Sequence, residues 1–276
     1  MELNKIRPFL KWPGGKFRLV ERICSVLPPG TQLIEPFVGG GAVFLNTHFD
    51  RYLLNDANAD LISLYQILQK EGAWFIEVCR SFFRKKFNSE KQYYRLRTKF
   101  NRSVDPIEKS ALFLYLNRHG FNGLCRYNAS KGEFNVPFGR YVRPYFPEKE
   151  MLLFHEKAKR VTFVCEDFTR AMKRARKGSV VYCDPPYVPL NATSRFTAYQ
   201  AGGFSLTEQQ SLAHLAHQLA NKGIPVLLSN HSNDFTREVY QSALISEFKV
   251  QRFISCKAND RRPILELLAL YPGIRS

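Results

Sequence analysis

The chain has 276 residues, enough to bury a full sheet core, and a hydrophobic content of 45% excludes disorder as its main state. A net charge of +17 lies far beyond what solubility needs and suits a polyanionic partner, nucleic acid ahead of a membrane surface. The six cysteines are scattered with no C-x-x-C pair, a reduced, cytosolic usage without a zinc site, and Cys165 and Cys183 read as small core residues at strand ends.

Met1 to Pro8 is charged and lacks an apolar centre, so no signal peptide is expected, and no apolar run approaches membrane-spanning length. Next comes Phe9-Leu10-Lys11-Trp12-Pro13-Gly14-Gly15-Lys16. Its Gly-Gly-Lys suggests a phosphate loop, but a Walker loop needs an earlier glycine and a Ser or Thr after the lysine, where Phe17 stands. A tight turn presenting Trp12 and Lys16 to an anion or a stacked base is the better expectation.

Gln32 to Glu35 reads as a short strand, and Pro36-Phe37-Val38-Gly39-Gly40-Gly41 leads into a helix at Ala42. Strand, glycine turn and helix together let a ligand approach the backbone. The dinucleotide fingerprint fails because Phe44 replaces its third glycine. A second strand, Tyr52 to Leu54, ends at Asn55-Asp56, where a carboxylate can accept hydrogen bonds from ribose hydroxyls. Adenosine-like recognition therefore survives where NAD recognition does not.

Leu61, Ile62, Leu64, Tyr65 and Leu68 follow helical spacing. From Arg80 to Arg102 nine basic residues face one acid, Glu90, with six Phe and Tyr rings interleaved. Such a bias favours a phosphate-facing surface over an amphipathic pair with merely solvated charges. Leu112 to Tyr145 is rich in asparagine, arginine and glycine, with Pro137 and Pro144 arguing for loops or edge strands. Arg and Asn read guanine and adenine edges bidentately, and this block interrupts the α/β rhythm as an inserted domain would.

The rhythm returns with a strand at Val161 to Val164 ending in Glu166-Asp167-Phe168, then the buried run Val180 to Cys183 ending in Asp184-Pro185-Pro186-Tyr187. In an open α/β sheet, ligands bind beyond the carboxyl ends of the strands. The two prolines leave the ladder and hold the backbone stiff, fixing the carboxylate before them and the ring after them. Asp184 and the Pro185 carbonyl can accept the hydrogens of an amine on a flat molecule stacked on Tyr187. Taken alone, the string is equally an ordinary strand exit.

Thr207-Glu208-Gln209-Gln210 reads as a capping box opening a helix closed by Gly223. His214 and His217 lie on that helix without a third ligand and read as surface residues. Ile224 to Leu228 is expected as a strand ending at Ser229-Asn230-His231. A last strand pair is expected over Phe248 to Ile254 and Ile264 to Leu270, around the basic loop Lys257 to Arg262.

Taken together, Phe9 to Lys16, Glu35 to Gly39, the basic insert and Asp184 to Tyr187 resemble the Dam-type, GATC-specific DNA adenine methyltransferases. The likeness runs from Phe9 to about Tyr271, with long matches at Leu114 to Arg118, Asn122 to Asn128 and Glu133 to Tyr141. Cofactor motifs come first, the target-recognition insert next and the catalytic motif last, the alpha order of amino-methyltransferases. The resemblance implies a seven-stranded, mostly parallel α/β S-adenosylmethionine-dependent methyltransferase sheet with a mainly helical insert. Residues 1–56 and 146–276 would form the catalytic domain and 57–145 the target-recognition domain.

Residue by residue, the resemblance implies that Trp12, Lys16, Phe37, Gly39, Gly41, Asp56, Asp167 and Phe168 hold S-adenosylmethionine, with Asp184 at its methionine end. Asp184, Pro185 and Tyr187 would be catalytic. Leu124, Arg126 and Pro137 look like base readers, Lys11 would contact the outer guanine, and Phe121 would wedge into the duplex beside Asn122. Arg97, Asn128, Asn135, Arg140 and Tyr141 would position or flank. Phe121 stands where close relatives have tyrosine, so the wedge loses a hydroxyl, and Cys256 to Asp260 lacks the glycine-rich character expected there.

The implied activity is methyl transfer to the 6-amino nitrogen of a flipped-out adenine, leaving S-adenosylhomocysteine and calling for no metal. Double-stranded DNA is the implied partner of a monomeric, cytoplasmic, nucleoid-associated enzyme tied to replication and mismatch repair. An RNA adenine or protein glutamine methyltransferase would use a similar pocket. The glutamine enzymes usually carry Asn in place of Asp184, and neither needs this insert. An inactive DNA-binding relative would keep the insert and lose the pocket.

Overall fold

In a computed structural model, the described residues are 5–188, 204–251 and 263–273; the loop expected from Cys256 to Asp260 lies outside them. Seven strands, β1 (Gln32–Glu35), β2 (Arg51–Asn55), β3 (Val161–Val164), β4 (Ser179–Cys183), β5 (Val226–His231), β6 (Leu244–Val250) and β7 (Ile264–Tyr271), make one sheet. Their order is β3-β2-β1-β4-β5-β7-β6. Pairs β2/β3, β1/β4 and β4/β5 are parallel, whereas β7 runs antiparallel to both β5 and β6. This is the mixed, mostly parallel α/β sheet expected from the sequence.

The chain divides into two compact units. The first comprises Met1–Cys24, Val38–His48 and Tyr52–Glu166. Its main helices are α3 (Ala59–Ser81), α4 (Glu90–Arg102), α5 (Pro106–His119) and α6 (Glu148–Ala158), following the shorter α1 (Val20–Val26) and α2 (Ala42–Asn46). Helix α3 starts where the Asn58 side chain accepts from the Leu61 N–H, and it buries the apolar positions read from the sequence. It kinks at Gly72, whose φ is +52°. A Cβ there would meet the His155 ring at 2.8 Å, and His155 Nδ1 takes up the Leu68 carbonyl that the kink releases.

Helix α5 begins with an Asp105 cap and Pro106, and most of its residues from Ser110 onward are buried. Leu112 to His119 is therefore the body of a buried helix, ahead of the Pro137 and Pro144 stretches that argue for loops or edge strands. An apolar run pointing all round is indistinguishable from a strand until its length is known.

The second unit comprises Ser25–Phe37, Phe49–Arg51 and Asp167–Ser276. Every residue of β4 is buried, as a parallel strand covered on both faces requires. Helices α7 (Phe168–Lys173), α8 (Leu206–Ala220) and α9 (Asp234–Val239) belong to it. The capping box of α8 is formed by Ser205 and Glu208, two residues before the expected Thr207. Both positions offer a hydroxyl, but only Ser205 has a Glu three residues on. Strand β5 starts at Val226, because Pro225 has no N–H for the ladder, although its carbonyl accepts from Val181. Strand β6 starts at Leu244, earlier than expected, since its exposed edge carries polar residues that hide the alternation. Cys183 is buried as expected, whereas Cys165 is exposed, lying past the end of β3.

Candidate active site

Within the second unit, β4 delivers Asp184 to its carboxyl end, beside the polar end of β5. Ser229 Oγ donates to Asp184 Oδ1 at 3.0 Å and lies 3.0 Å from Tyr182 Oη. The serine's single hydrogen goes to the carboxylate, so the tyrosine donates to the serine. Burial, and then the charge of Asp184, hold the Tyr182 phenol well above its ordinary range and keep it a donor. The carboxylate of Asp184 is thus oriented by a two-step relay.

After Asp184 the chain leaves the sheet, and no hydrogen bond reaches the Pro185 carbonyl among the described residues. Tyr187 donates to Glu266 at 3.2 Å and meets the His231 ring edge-on, with centroids 4.7 Å apart. Burial raises its phenol well above the usual value, and the Asp184 and Glu266 carboxylates add to that. A carboxylate acceptor, a carbonyl and a braced ring can together receive a planar base bearing an amine.

Phe37 and Phe168 also come together, stacked at 5.5 Å and 27°, with Phe204 edge-on to both. Asp167 is exposed and caps α7, its Oδ1 accepting from the Thr169 N–H and hydroxyl.

The first unit holds the glycine turn. Gly39 N–H donates to Asp56 Oδ2 at 3.0 Å, Asn58 N–H to Asp56 Oδ1 at 3.0 Å, and Tyr65 Oη to the Gly39 carbonyl at 2.6 Å. Burial raises the Asp56 pKa, while those two backbone donors pull it down. Gly39 has a φ of +47°, and a Cβ on it would sit 2.7 Å from Trp12 Nε1, so the indole packs against a bare backbone. Gly41, with φ +74°, opens α2. Lys16 is buried and donates to the Gly14 carbonyl at 2.7 Å.

The insert forms an irregular antiparallel ribbon. Gly120 pairs with Phe138 and Tyr127 with Phe134, and main-chain bonds link Phe121 to Pro137 and Asn135 to Arg126. Asn128 closes the turn by accepting from the Ser130 N–H. Arg126 is exposed, with its Nε held by Asn135 Oδ1 at 2.8 Å. Leu124 is half-buried, and Pro137 and Arg140 are exposed, Arg140 with φ +55°. Phe121 is 43% exposed, unusual for a phenylalanine, and Asn122 beside it takes φ +52° and donates its N–H to Tyr141 Oη. Lys11 Nζ sits 3.9 Å from the centre of the Tyr141 ring, and burial followed by the Arg118 charge lowers its pKa.

Several residues carry structural duties that sequence reasoning did not assign. Arg97 donates to the Val136 carbonyl, which also accepts from Tyr93, so it ties the ribbon to α4. Asn117 is buried and brackets the Lys11 main chain. Ser229, Asn230, Gln209 and Glu266 support the Asp184 to Val188 segment. A polar run closing an apolar strand next to β4 was the signal for the first two; nothing local marks the others. His214 and His217 are exposed, and among the described residues no group of His, Cys, Asp and Glu is gathered as a metal site. A hollow of about 560 Å³ lined by Arg80, Arg84, Arg143 and Phe146 contains none of the motif residues.

Residues 12–254 match the family profile described as D12 class N6 adenine-specific DNA methyltransferase. The chain is 54% identical over 270 residues to the DNA adenine methylase of Serratia marcescens, covering 98% of this chain and 100% of that protein. It is 52% identical over 275 residues to the DNA adenine methylase of Escherichia coli (strain K12), covering 99% of each, and 49% identical over 270 residues to that of Vibrio cholerae serotype O1, covering 98% and 97%.

Proposed function

The chain belongs to the D12 class of N6 adenine-specific DNA methyltransferases, and from that premise we propose that its target is the adenine of GATC and its methyl donor S-adenosylmethionine. The observation that carries the assignment is the Asp184 carboxylate held by Ser229 at the end of β4, directly before a rigid Pro-Pro and a braced Tyr187.

The amine of adenine is a poor nucleophile because its lone pair is delocalised into the ring. Asp184 and the Pro185 carbonyl accept its two hydrogens and favour a pyramidal nitrogen whose lone pair is free to react. That pair would form the bond to the methyl carbon as the carbon–sulfur bond breaks with its electrons going to sulfur, and the proton lost from nitrogen would pass by way of the Asp184 carboxylate to water. Holding the two reactants in line supplies up to about 7–11 kcal/mol of barrier reduction. Inside a duplex the amine is out of reach, so the base flips out onto Tyr187, costing a few kcal/mol.

Phe37 and Phe168 offer ring faces to the donor's adenine, and Asp56 a carboxylate to its ribose. Trp12, Lys16, Gly39, Gly41 and Asp167 complete the proposed donor contacts. Residues 57–145 read the DNA through Arg126, Leu124, Pro137 and the Phe121 wedge, with Lys11 on the outer guanine, while 1–56 and 146–276 carry the transfer. The enzyme would act as a monomer in the cytoplasm, on nucleoid DNA. No helix among the described residues is long and apolar enough to cross a membrane.

Incubation with labelled S-adenosylmethionine and plasmid DNA tests this function. Label should enter DNA as N6-methyladenine and GATC sites should resist a nuclease blocked by that methylation. Methylated adenine with GATC still fully cleavable would overturn the sequence assignment and leave the family intact.

A further inference from the structure

The segment after Asp184 is held by a buried polar cluster that the chemistry above does not use. Gln209 on α8, Asn230 at the end of β5 and Tyr240 after α9 are all fully buried. Gln209 Nε2 donates to the Pro186 carbonyl at 2.9 Å. Its Oε1 accepts from Asn230 Nδ2 at 3.1 Å and from Tyr240 Oη at 2.9 Å.

The direction of every bond in this cluster follows from the main chain. Asn230 Oδ1 accepts two backbone N–H groups, from Val188 at 3.2 Å and His231 at 2.9 Å, so the other end of that amide must be the donor. Asn230 Nδ2 donates to Gln209 Oε1 and to Tyr240 Oη, which leaves the phenol hydrogen for Gln209 Oε1 as well. Burial keeps that phenol protonated. With two donors on Oε1, the Gln209 amide has one orientation, and its N–H₂ faces Pro186. A buried network satisfied in this way holds one geometry, because any rotation leaves a donor or a carbonyl unpaired. Asn230 clamps the same segment at Val188, and His231 Nδ1 lies 3.0 Å from the Val188 carbonyl.

We propose that Gln209 is a positioning residue for methyl transfer: through the Pro186 carbonyl it sets where the Pro185 carbonyl and the Tyr187 ring stand. This rests on Asp184-Pro185-Pro186-Tyr187 being the transfer motif. Gln209 touches no reactant, so its loss misplaces the acceptors without removing them, and a misplacement of this kind lowers rate by up to about 100-fold.

The test compares Gln209→Glu with Tyr240→Phe in single-turnover methylation of a duplex, alongside melting temperature and donor affinity. Gln209→Glu keeps the acceptor for Tyr240 and Asn230; burial raises the pKa of its carboxyl, which donates to the Pro186 carbonyl while protonated and turns an oxygen onto it only when ionised at high pH. In the ionised form its rate should fall about 10- to 100-fold with donor and DNA affinities within about twofold of wild type. Lowering the pH protonates the new buried carboxyl and restores a donor, so the mutant-to-wild-type rate ratio should rise as pH falls. Tyr240→Phe deletes a hydroxyl from the same cluster and keeps the bond to Pro186, so it should lose melting temperature and retain rate within about threefold. Gln209→Met, which offers Pro186 no donor at any pH, is read alongside by the same rate criterion, a loss of about 10- to 100-fold. Equal rate losses in the two variants, tracking their melting temperatures, would make Gln209 a structural residue only and overturn the proposal. Failure of the wild-type protein to methylate DNA would instead strike the motif assignment itself.

Discussion

At the scale of single residues, Arg126, proposed above as a base reader, offers the test that separates sequence reading from mere attachment. Its guanidinium is anchored at Nε by Asn135, so its two terminal nitrogens form a fork of fixed aim on an exposed ribbon. A fork of this kind matches the two acceptors of a guanine, and a good pair discriminates by about 1–3 kcal/mol. Arg126→Ala should therefore lower kcat/KM on GATC far more than on duplexes altered at the final base pair. Donor affinity should not change. A uniform slowing on every duplex would make Arg126 a positioning contact.

At the scale of elements, the ribbon stands on α4 and α5. Tyr93 and Arg97 of α4 both donate to Val136, and Asn101 pairs with Phe134. The end of α5 carries His119, buried against Tyr115 and Phe83, with Nδ1 2.9 Å from the Tyr115 carbonyl. Burial lowers its pKa from 6.5 to about 4, the Lys11 and Arg118 charges adding to the effect and the Tyr115 carbonyl opposing it. Between those values the unfolded chain binds the proton and the folded chain does not. Stability is thus whole above pH 6.5 and declines as pH falls towards 4, by about 3 kcal/mol from this group. Denaturant midpoints at pH 7.5 and 4.5 should show His119→Gln losing less than wild type. Parallel losses would contradict the account.

Elements also show why some features were legible in the sequence. β4 and the start of α3 were readable because local pattern and final burial agree. The capping box of α8 slipped by two residues because two hydroxyls compete there and one carboxylate decides. Gly72 gave no warning of its kink, since the cause is a histidine 83 positions away in sequence, His155. In the candidate site, Asp184 and Tyr187 were legible as a rigid motif, while Ser229 and Gln209 acquire their roles only through tertiary hydrogen bonds.

At the scale of the whole molecule, the net charge of +17 is sorted by the fold. Arg80 is paired with Glu77 and Glu148, and Lys99 with Glu108. Arg84, Lys85 and Lys86 remain exposed, with no acidic partner among the described residues. Binding to a duplex without the site should weaken by about 0.9 log units per log unit of salt for each phosphate neutralised. Replacing those three by alanine should flatten the slope by about 2–3. An unchanged slope would mean that they form a solvated face.

The central claim is that Asp184 organises transfer to an adenine amine and takes no part in holding the duplex. The most direct test is Asp184→Ala, with methyl incorporation into a GATC duplex and duplex affinity measured on the same preparation. The account predicts that N6-methyladenine falls to background while affinity for a duplex lacking the site stays within about twofold of wild type, since a carboxylate makes no favourable phosphate contact. Turnover within about tenfold of wild type, a loss of less than about 1.4 kcal/mol in the barrier, would contradict it.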